Sequence, residues 1–239
     1  MESLELFDPS ELQRVLCVVA HPDDMEYGGS AAAAEWTARG IEVSYLLLTA
    51  GEAGIRNLPP AEVGPLRADE QRAACDIVGV DQLTILDLPD GLVEPSIETR
   101  RQIAREIRRT LPDAIITMSW NLEAGWGLNH VDHRATGIAV VDAIRDADNP
   151  WLFREQLTDE GLTAWKTSWL LAMMHGPDHA IQVSEESAEK AVRSLEAHHV
   201  YLEALTDHQA PRDLITGVLT GGGAAAAVPL ALPVRAYRM

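Results

Sequence analysis

Val15-Leu16-Cys17-Val18-Val19 is apolar at five consecutive positions and runs without a break into Ala20-His21-Pro22-Asp23-Asp24-Met25-Glu26. A strand with no polar side is buried on both faces, as in parallel sheets covered by helices. This one delivers a histidine and two adjacent carboxylates to its carboxyl end, where open α/β sheets gather their ligands.

The same plan repeats along the chain. Residues 42–49, 83–88, 114–118 and 168–174 read as further strands. Between them lie helical stretches at 30–39 (ended by Gly40), 66–78 (closed by Gly79), 96–111 (stopped by Pro112) and 133–146. A long helix then opens at Ser184 with Glu185 and Glu186 in its first turn. The β-α-β-α order predicts an α/β fold, a mostly parallel sheet with helices on both faces, forming a single domain over residues 1–239. Gly221-Gly222-Gly223-Ala224 reads as a flexible tail, and 232–237 as an edge strand after it.

Strand order also predicts where a site forms. The His21–Glu26 segment follows the first strand, Gly51-Glu52 the second and Asp90 the third. A loop with Trp120, Trp126, His130 and His133 follows the fourth, so all four converge on one crevice. Composition narrows what could bind there. The chain sets 37 acidic residues against 19 basic ones, a formal charge of −18. Nucleic acid and anionic membrane need clustered Lys and Arg, so neither is expected as a partner. No apolar run approaches the ~20 residues that span a bilayer, and the first residues lack a basic segment followed by an apolar one. The expectation is a cytoplasmic protein without membrane insertion. Cys17 and Cys75 read as buried small hydrophobes rather than a disulfide. Oligomeric state is left open, a homo-oligomer included.

Catalytic zinc takes three protein ligands, often two histidines and a carboxylate. His21, Asp24 and His133 match that inventory, although His21-Pro22-Asp23-Asp24 alone could equally be a polar turn that caps a helix. The cluster His130-Val131-Asp132-His133 tips the reading towards a metal-dependent hydrolase. Adjacent carboxylates in an extended segment point to opposite sides, so one of Asp23 and Asp24 can bind metal while the other takes a proton. His130 could protonate a leaving amine or stabilise charge. Asp132 could set the tautomer of His130, hold a ligand histidine, or simply start a helix. A nucleotide-binding module without hydrolysis is disfavoured, because no G-x-G-x-x-G follows the first strand.

Ala20-His21-Pro22-Asp23-Asp24-Met25-Glu26 resembles the AHPDDxE signature of the LmbE-like, PIG-L family of zinc-dependent N-deacetylases. The likeness continues in Gly28-Gly29, in Leu48-Thr49-Ala50-Gly51-Glu52-Ala53-Gly54, and in Arg67 with Glu70 and Ala74. It recurs in Pro89-Asp90-Gly91, in His130-Val131-Asp132-His133, and in Lys190, Leu195 and Ala197-His198 of a late helix. The resemblance implies a Rossmann-like fold, removal of an N-acetyl group from an amino sugar or sugar conjugate, and zinc held by His21, Asp24 and His133; the same ligand set can hold Fe2+. It further implies Asp23 as general base, His130 as general acid or oxyanion stabiliser, and Arg67 and Asp90 facing a sugar-type substrate. A zinc amidase acting on a larger N-acyl group or an antibiotic-like scaffold is the alternative.

Two positions depart from the family pattern. Sugar-thiol deacetylases carry a tyrosine shortly before the second motif, where this chain has Gly127-Leu128-Asn129. The oxyanion donor would then be the metal, His130, Asn129 or Trp126. The late helix reads His198-His199-Val200-Tyr201, with Ala188, Val192, Leu195, His199 and Leu202 on one stripe. Both histidines read as packing residues.

Overall fold

Alternate side chains of a strand point to opposite faces of its sheet, and here both faces are dry. The computed structural model describes residues 3–125, 127–206 and 208–239. In chain order the elements are β1 (Glu5–Leu6), β2 (Arg14–Val19), α1 (Gly29–Ala38), β3 (Glu42–Leu47), α2 (Pro60–Val78), β4 (Gln82–Ile85), α3 (Ile97–Thr110) and β5 (Ala114–Met118). A small ribbon, β6 (Glu123–Ala124) and β7 (Gly127–Leu128), leads to α4 (Val131–Asp148) and the short α5 (Glu155–Thr158). Then come β8 (Trp169–Met173), β9 (His179–Gln182), α6 (Glu185–Glu196), α7 (His199–Ala204), α8 (Pro211–Ala226) and β10 (Ala231–Arg238).

Eight strands form one sheet in the order β1-β9-β10-β8-β5-β2-β3-β4. From β8 to β4 every pairing is parallel, while β10 runs antiparallel to both β8 and β9. Val15, Cys17 and Val19 pack on one face with Trp36 of α1, Val78 of α2, Leu195 of α6 and Leu219 of α8. Leu16 and Val18 pack on the other with Ile103 and Ile107 of α3 and Ala139 and Val140 of α4. Each such side chain, fully buried, contributes roughly 1.5–3 kcal/mol by leaving water. Helices on both faces of a mostly parallel sheet are the expected architecture. Among the described residues no helix is long and apolar enough to cross a membrane, and both cysteines are free and buried.

Four expectations are corrected. Residues 221–224 are not a flexible tail but part of α8. A Cβ on Gly222 would lie 2.2 Å from the Ala231 carbonyl oxygen, and one on Gly223 2.5 Å from that of Pro229. The glycines there serve close packing. β10 is not an edge strand but lies between β8 and β9. Helix α2 starts at Pro60, six residues earlier than the sequence suggests, and carries Pro65 inside it; its first proline sits where a missing N–H costs nothing. The late helix is broken at 197–198, so His199 leaves the buried stripe and is exposed, while His198 is fully buried.

Candidate active site

The segment after β2 is a turn, and Asp23 takes a left-handed backbone at φ 86°. That conformation, uncommon outside glycine, turns its carboxylate away from that of Asp24. The two neighbours therefore divide, though not through an extended chain. Asp24 Oδ2 accepts from the backbone N–H of Ala20 (3.0 Å) and His21 (2.7 Å) and lies 3.5 Å from His21 Nδ1. Its Oδ1 is 3.1 Å from His133 Nε2. Burial works against the charged carboxylate, but His133 and His21 hold it well below the usual range.

Asp23 goes to a different neighbourhood. Its backbone N–H donates to Gln71 Oε1 (3.0 Å), and its Oδ1 accepts from Arg67 Nη2 (2.8 Å). Burial pushes the Asp23 carboxyl up to about 6, with the Arg67 guanidinium pulling the other way. Arg67 itself is 2% exposed. It also donates to the carbonyls of Pro22 (2.5 Å) and Gly51 (3.1 Å), and its guanidinium lies 3.7 Å from the Tyr201 ring centroid. Gly51, at φ 63°, leaves the room: a Cβ there would sit 2.1 Å from Arg67 Nη1.

The histidines are held from behind. His21 Nε2 lies 3.0 Å from Asp132 Oδ2 and 3.1 Å from Asp90 Oδ1. Asp132, fully buried, also accepts from the N–H of Gly91 (2.7 Å) and Val93 (3.1 Å). Asp90 accepts from the N–H of Ala53 (2.8 Å) and donates its own N–H to Glu52 Oε1 (2.9 Å). Burial opposes protonation of His21, yet Asp24, Asp132 and Asp90 raise its pKa well above the ordinary value. His133 Nδ1 pairs with Asn129 Oδ1 (3.2 Å), and the Asn129 amide donates to the carbonyls of Ser119 (2.8 Å) and Asn121 (3.1 Å). Those two bonds fix the amide orientation, so Oδ1 faces the ring and accepts from His133 Nδ1, while Nε2 points to Asp24 Oδ1. His130 caps α4, its Nδ1 accepting from the Asp132 N–H (3.3 Å). That places its proton on Nε2. Burial, then the neighbouring His21, lowers its pKa.

Among the described residues, two overlapping groups have the donors for a metal ion, neither of them with Asp24: His21 with His130 and His133, and His21 with Asp90 and Asp132. Within each, one donor atom per residue lies within 4.8 Å of the others. The donor chemistry, imidazole and carboxylate, suits a divalent transition metal.

Seven of the predicted residues line a single cavity of about 1060 Å3: His21, Asp23, Asp24, Arg67, Asp90, His130 and His133. The eighth, Asp132, stands behind His21. Several assignments shift with the geometry. Arg67 lines the cavity with its guanidinium bonded to Asp23 and two carbonyls, and it does not pair with Glu70, which accepts from the Val200 N–H (2.7 Å). Asp90 buttresses His21 as well as lining the cavity. The Asp132 carboxylate holds His21, while its backbone N–H sets the tautomer of His130. Asn129, with both amide hydrogens committed, is no oxyanion donor. Trp126 lies outside the described residues, and Leu128 is exposed. Trp120 is a loop anchor, its ring centroid 3.8 Å from that of His175.

Sequence reasoning missed Gln71, Tyr27 and Tyr201. Gln71 had a signal, since it lies one helical turn after Arg67 and shares its face. The tyrosines had none: Tyr27 and Tyr201 reach the cavity from the start of α1 and from α7.

Fold and cavity together define an α/β protein with a histidine–carboxylate centre at the carboxyl end of its middle strands. The chain belongs to the PIG-L family, described as GlcNAc-PI de-N-acetylase, whose model matches residues 16–144. It is 29% identical over 194 residues to diacetylchitobiose deacetylase of Thermococcus kodakarensis, covering 79% of this chain and 71% of that protein. Among solved structures it resembles N,N'-diacetylchitobiose deacetylase from Pyrococcus horikoshii, with a TM-score of 0.85 and 21% identity over 96% of this chain and 85% of the other. It also resembles GalB, the 4-carboxy-2-hydroxymuconate hydratase from Pseudomonas putida, at a TM-score of 0.70 and 17% identity over 95% and 97%. At such identities the structures speak for the fold, which carries more than one reaction.

Proposed function

We propose that the protein is a metal-dependent N-deacetylase acting on an amino sugar or a sugar conjugate. One observation carries the reading: two adjacent carboxylates are sorted, Asp24 between the rings of His21 and His133 and Asp23 turned away, its carboxyl raised to about 6. In this reading His21, Asp24 and His133 hold the ion, zinc by donor type, with Fe2+ accommodated by the same set. When bound, such an ion acts as a Lewis acid towards an amide carbonyl and makes water a stronger acid.

The chain's own residues do the rest. Hydrogen bonds from His21 Nε2–H to Asp132 and Asp90 leave Nδ1 facing Asp24, the usual carboxylate support of a ligand histidine. Asn129 does the same for His133. Asp23, ionised at neutral pH, accepts a proton from the attacking water and returns it to the amine nitrogen as the C–N bond breaks, giving acetate and a free amine. His130, neutral and protonated on Nε2, donates to the oxygen on which charge develops. This fills the place of the tyrosine that Leu128 lacks. Asp90, which lines the same cavity, accepts from a sugar hydroxyl in this reading.

The test is acetate release from N-acetylglucosamine and N,N'-diacetylchitobiose by the zinc-loaded protein, with metal content measured in parallel. Release that stops on chelation and returns with zinc is expected. Protein that takes up no metal, or that loads zinc yet releases no acetate from any N-acetylated sugar, overturns the proposal.

A further inference from the structure

The polar cluster occupies only one half of the cavity. The loops after β3 and β4 bring Ala53, Gly54 and Asp90 to one side of β2. On the other side, the wall is built by Met118 of β5, Met173 of β8 with Met174, Leu214 and Val218 of α8, and Leu232 of β10. None of those six is charged; Tyr27 and His208, 3.0 Å apart between the Tyr27 hydroxyl and His208 Nε2, line the same cavity. Leu214 and Val218 are one helical turn apart and only partly buried, beside the buried stripe of Ile215 and Leu219. Both pack against the core and line the cavity as well. They form a second face of α8, turned to the cavity.

The wall is held rigidly. Gly222 and Gly223 seat α8 against the chain at 228–231, and Gly28, at φ 125°, lets Val218 and Leu232 close on the start of α1. The three methionines add side chains that adapt to irregular apolar ligands. At about 1060 Å3 the cavity is at the upper end of the roughly 300–1,000 Å3 that holds drug-sized ligands, well beyond one acetamido sugar. A ligand whose amide lies at the histidine cluster, with its hydroxyls towards Asp90, can extend along this apolar wall.

We propose that the half of the cavity over β5, β8 and β10 is a subsite for an aliphatic chain carried by the substrate. The proposal rests on the deacetylase reading for the position of the amide. The chain could be the N-acyl group itself or an alkyl group at the anomeric oxygen, and two series of compounds separate these. One is N-acylglucosamines with acyl groups of two to ten carbons. The other is alkyl 2-acetamido-2-deoxyglucosides from methyl to decyl.

For one series, kcat/KM of the zinc-loaded protein should rise about three- to fourfold per methylene over the first several carbons, the gain of burying each CH2. Val218→Asp should flatten that slope, and Val218→Phe should cut it off at a shorter chain. The slope, a ratio between long and short substrates, is not moved by a general loss of activity. Calorimetric binding of decyl against methyl 2-acetamido-2-deoxyglucoside, and of N-decanoyl against N-acetylglucosamine, gives the same comparison without turnover. Acetate release with flat slopes and equal binding in both series overturns the subsite and leaves the deacetylase reading intact. Length-dependent binding without hydrolysis of any amide supports the subsite and overturns the deacetylase reading.

Discussion

The two sides of β2 are built by different physics. On the side of β3 and β4, the loops are tied to the site by directed bonds: Asp132 to the N–H of Gly91 and Val93, Asp90 to that of Ala53, Glu52 to that of Asp90. On the side of β8 and β10, shape does the work, with glycines that let α8 approach and apolar side chains that fill or line the space. Directed bonds place single atoms, which chemistry at an amide requires. Packing places a surface, which suits recognition of bulk. The two sides should accordingly fail differently when altered.

The largest effect is expected on the polar side. Asp23→Asn should lower kcat by about 10²- to 10⁴-fold, the usual worth of a positioned base, while metal content by mass spectrometry is unchanged; full activity in that variant removes Asp23 from the proton path. Next is the support of His133. Asn129→Ala leaves Nδ1–H without its partner and should weaken metal affinity about 10- to 100-fold, as loss of such partners does; competition with a chelating indicator reads the change. On the packing side, Gly222→Ala forces a Cβ to within 2.2 Å of the Ala231 carbonyl oxygen. It should destabilise folding by roughly 1–3 kcal/mol, the range for overpacking, in a denaturant titration, with zinc stoichiometry preserved in the folded fraction.

The smallest effect concerns the acid limb of the rate profile. Burial raises the Asp23 carboxyl to about 6 and Arg67 pulls it down. A base must be ionised, so the rate should fall as the pH drops through about 6. Removing the cation in Arg67→Gln takes away the lowering influence, and the limb should move to higher pH. A limb that stays in place or moves to lower pH would show that Arg67 does not govern this carboxylate.

Much of this was legible in the residues, and the reasons are local. β2, β3, β5 and β8 announce themselves because strands buried on both faces must be apolar throughout, as Val15 to Val19 are. His21, Asp24 and His133 were legible as a candidate set because metal ligation restricts residue type, and the fold brings both histidines to the Asp24 carboxylate. What stayed hidden depended on distant partners. Nothing near Asn129 reveals that its amide is oriented by Ser119 and Asn121 so as to face His133. Nothing near Arg67 reveals that it reaches Pro22, Gly51 and Asp23. Gly221-Gly222-Gly223 read as looseness because glycine in isolation means conformational freedom; beside β10 it means proximity. The placement of β10 between β8 and β9 follows from that docking and leaves no periodic trace.

The inserted strand has a consequence for how the molecule comes together. β1 pairs only with β9, and β9 reaches the rest of the sheet only through β10, so segments near residues 5, 180 and 235 must meet before that wing exists. The β1–β9 pairing, which joins Glu5 to His179, spans the widest sequence separation in the sheet, and loop closure there is costly until the contacts reward it. β10 also carries Leu232 into the cavity. The apolar wall and the outer wing thus hang on one strand, and a chain in which β10 fails to dock loses both at once.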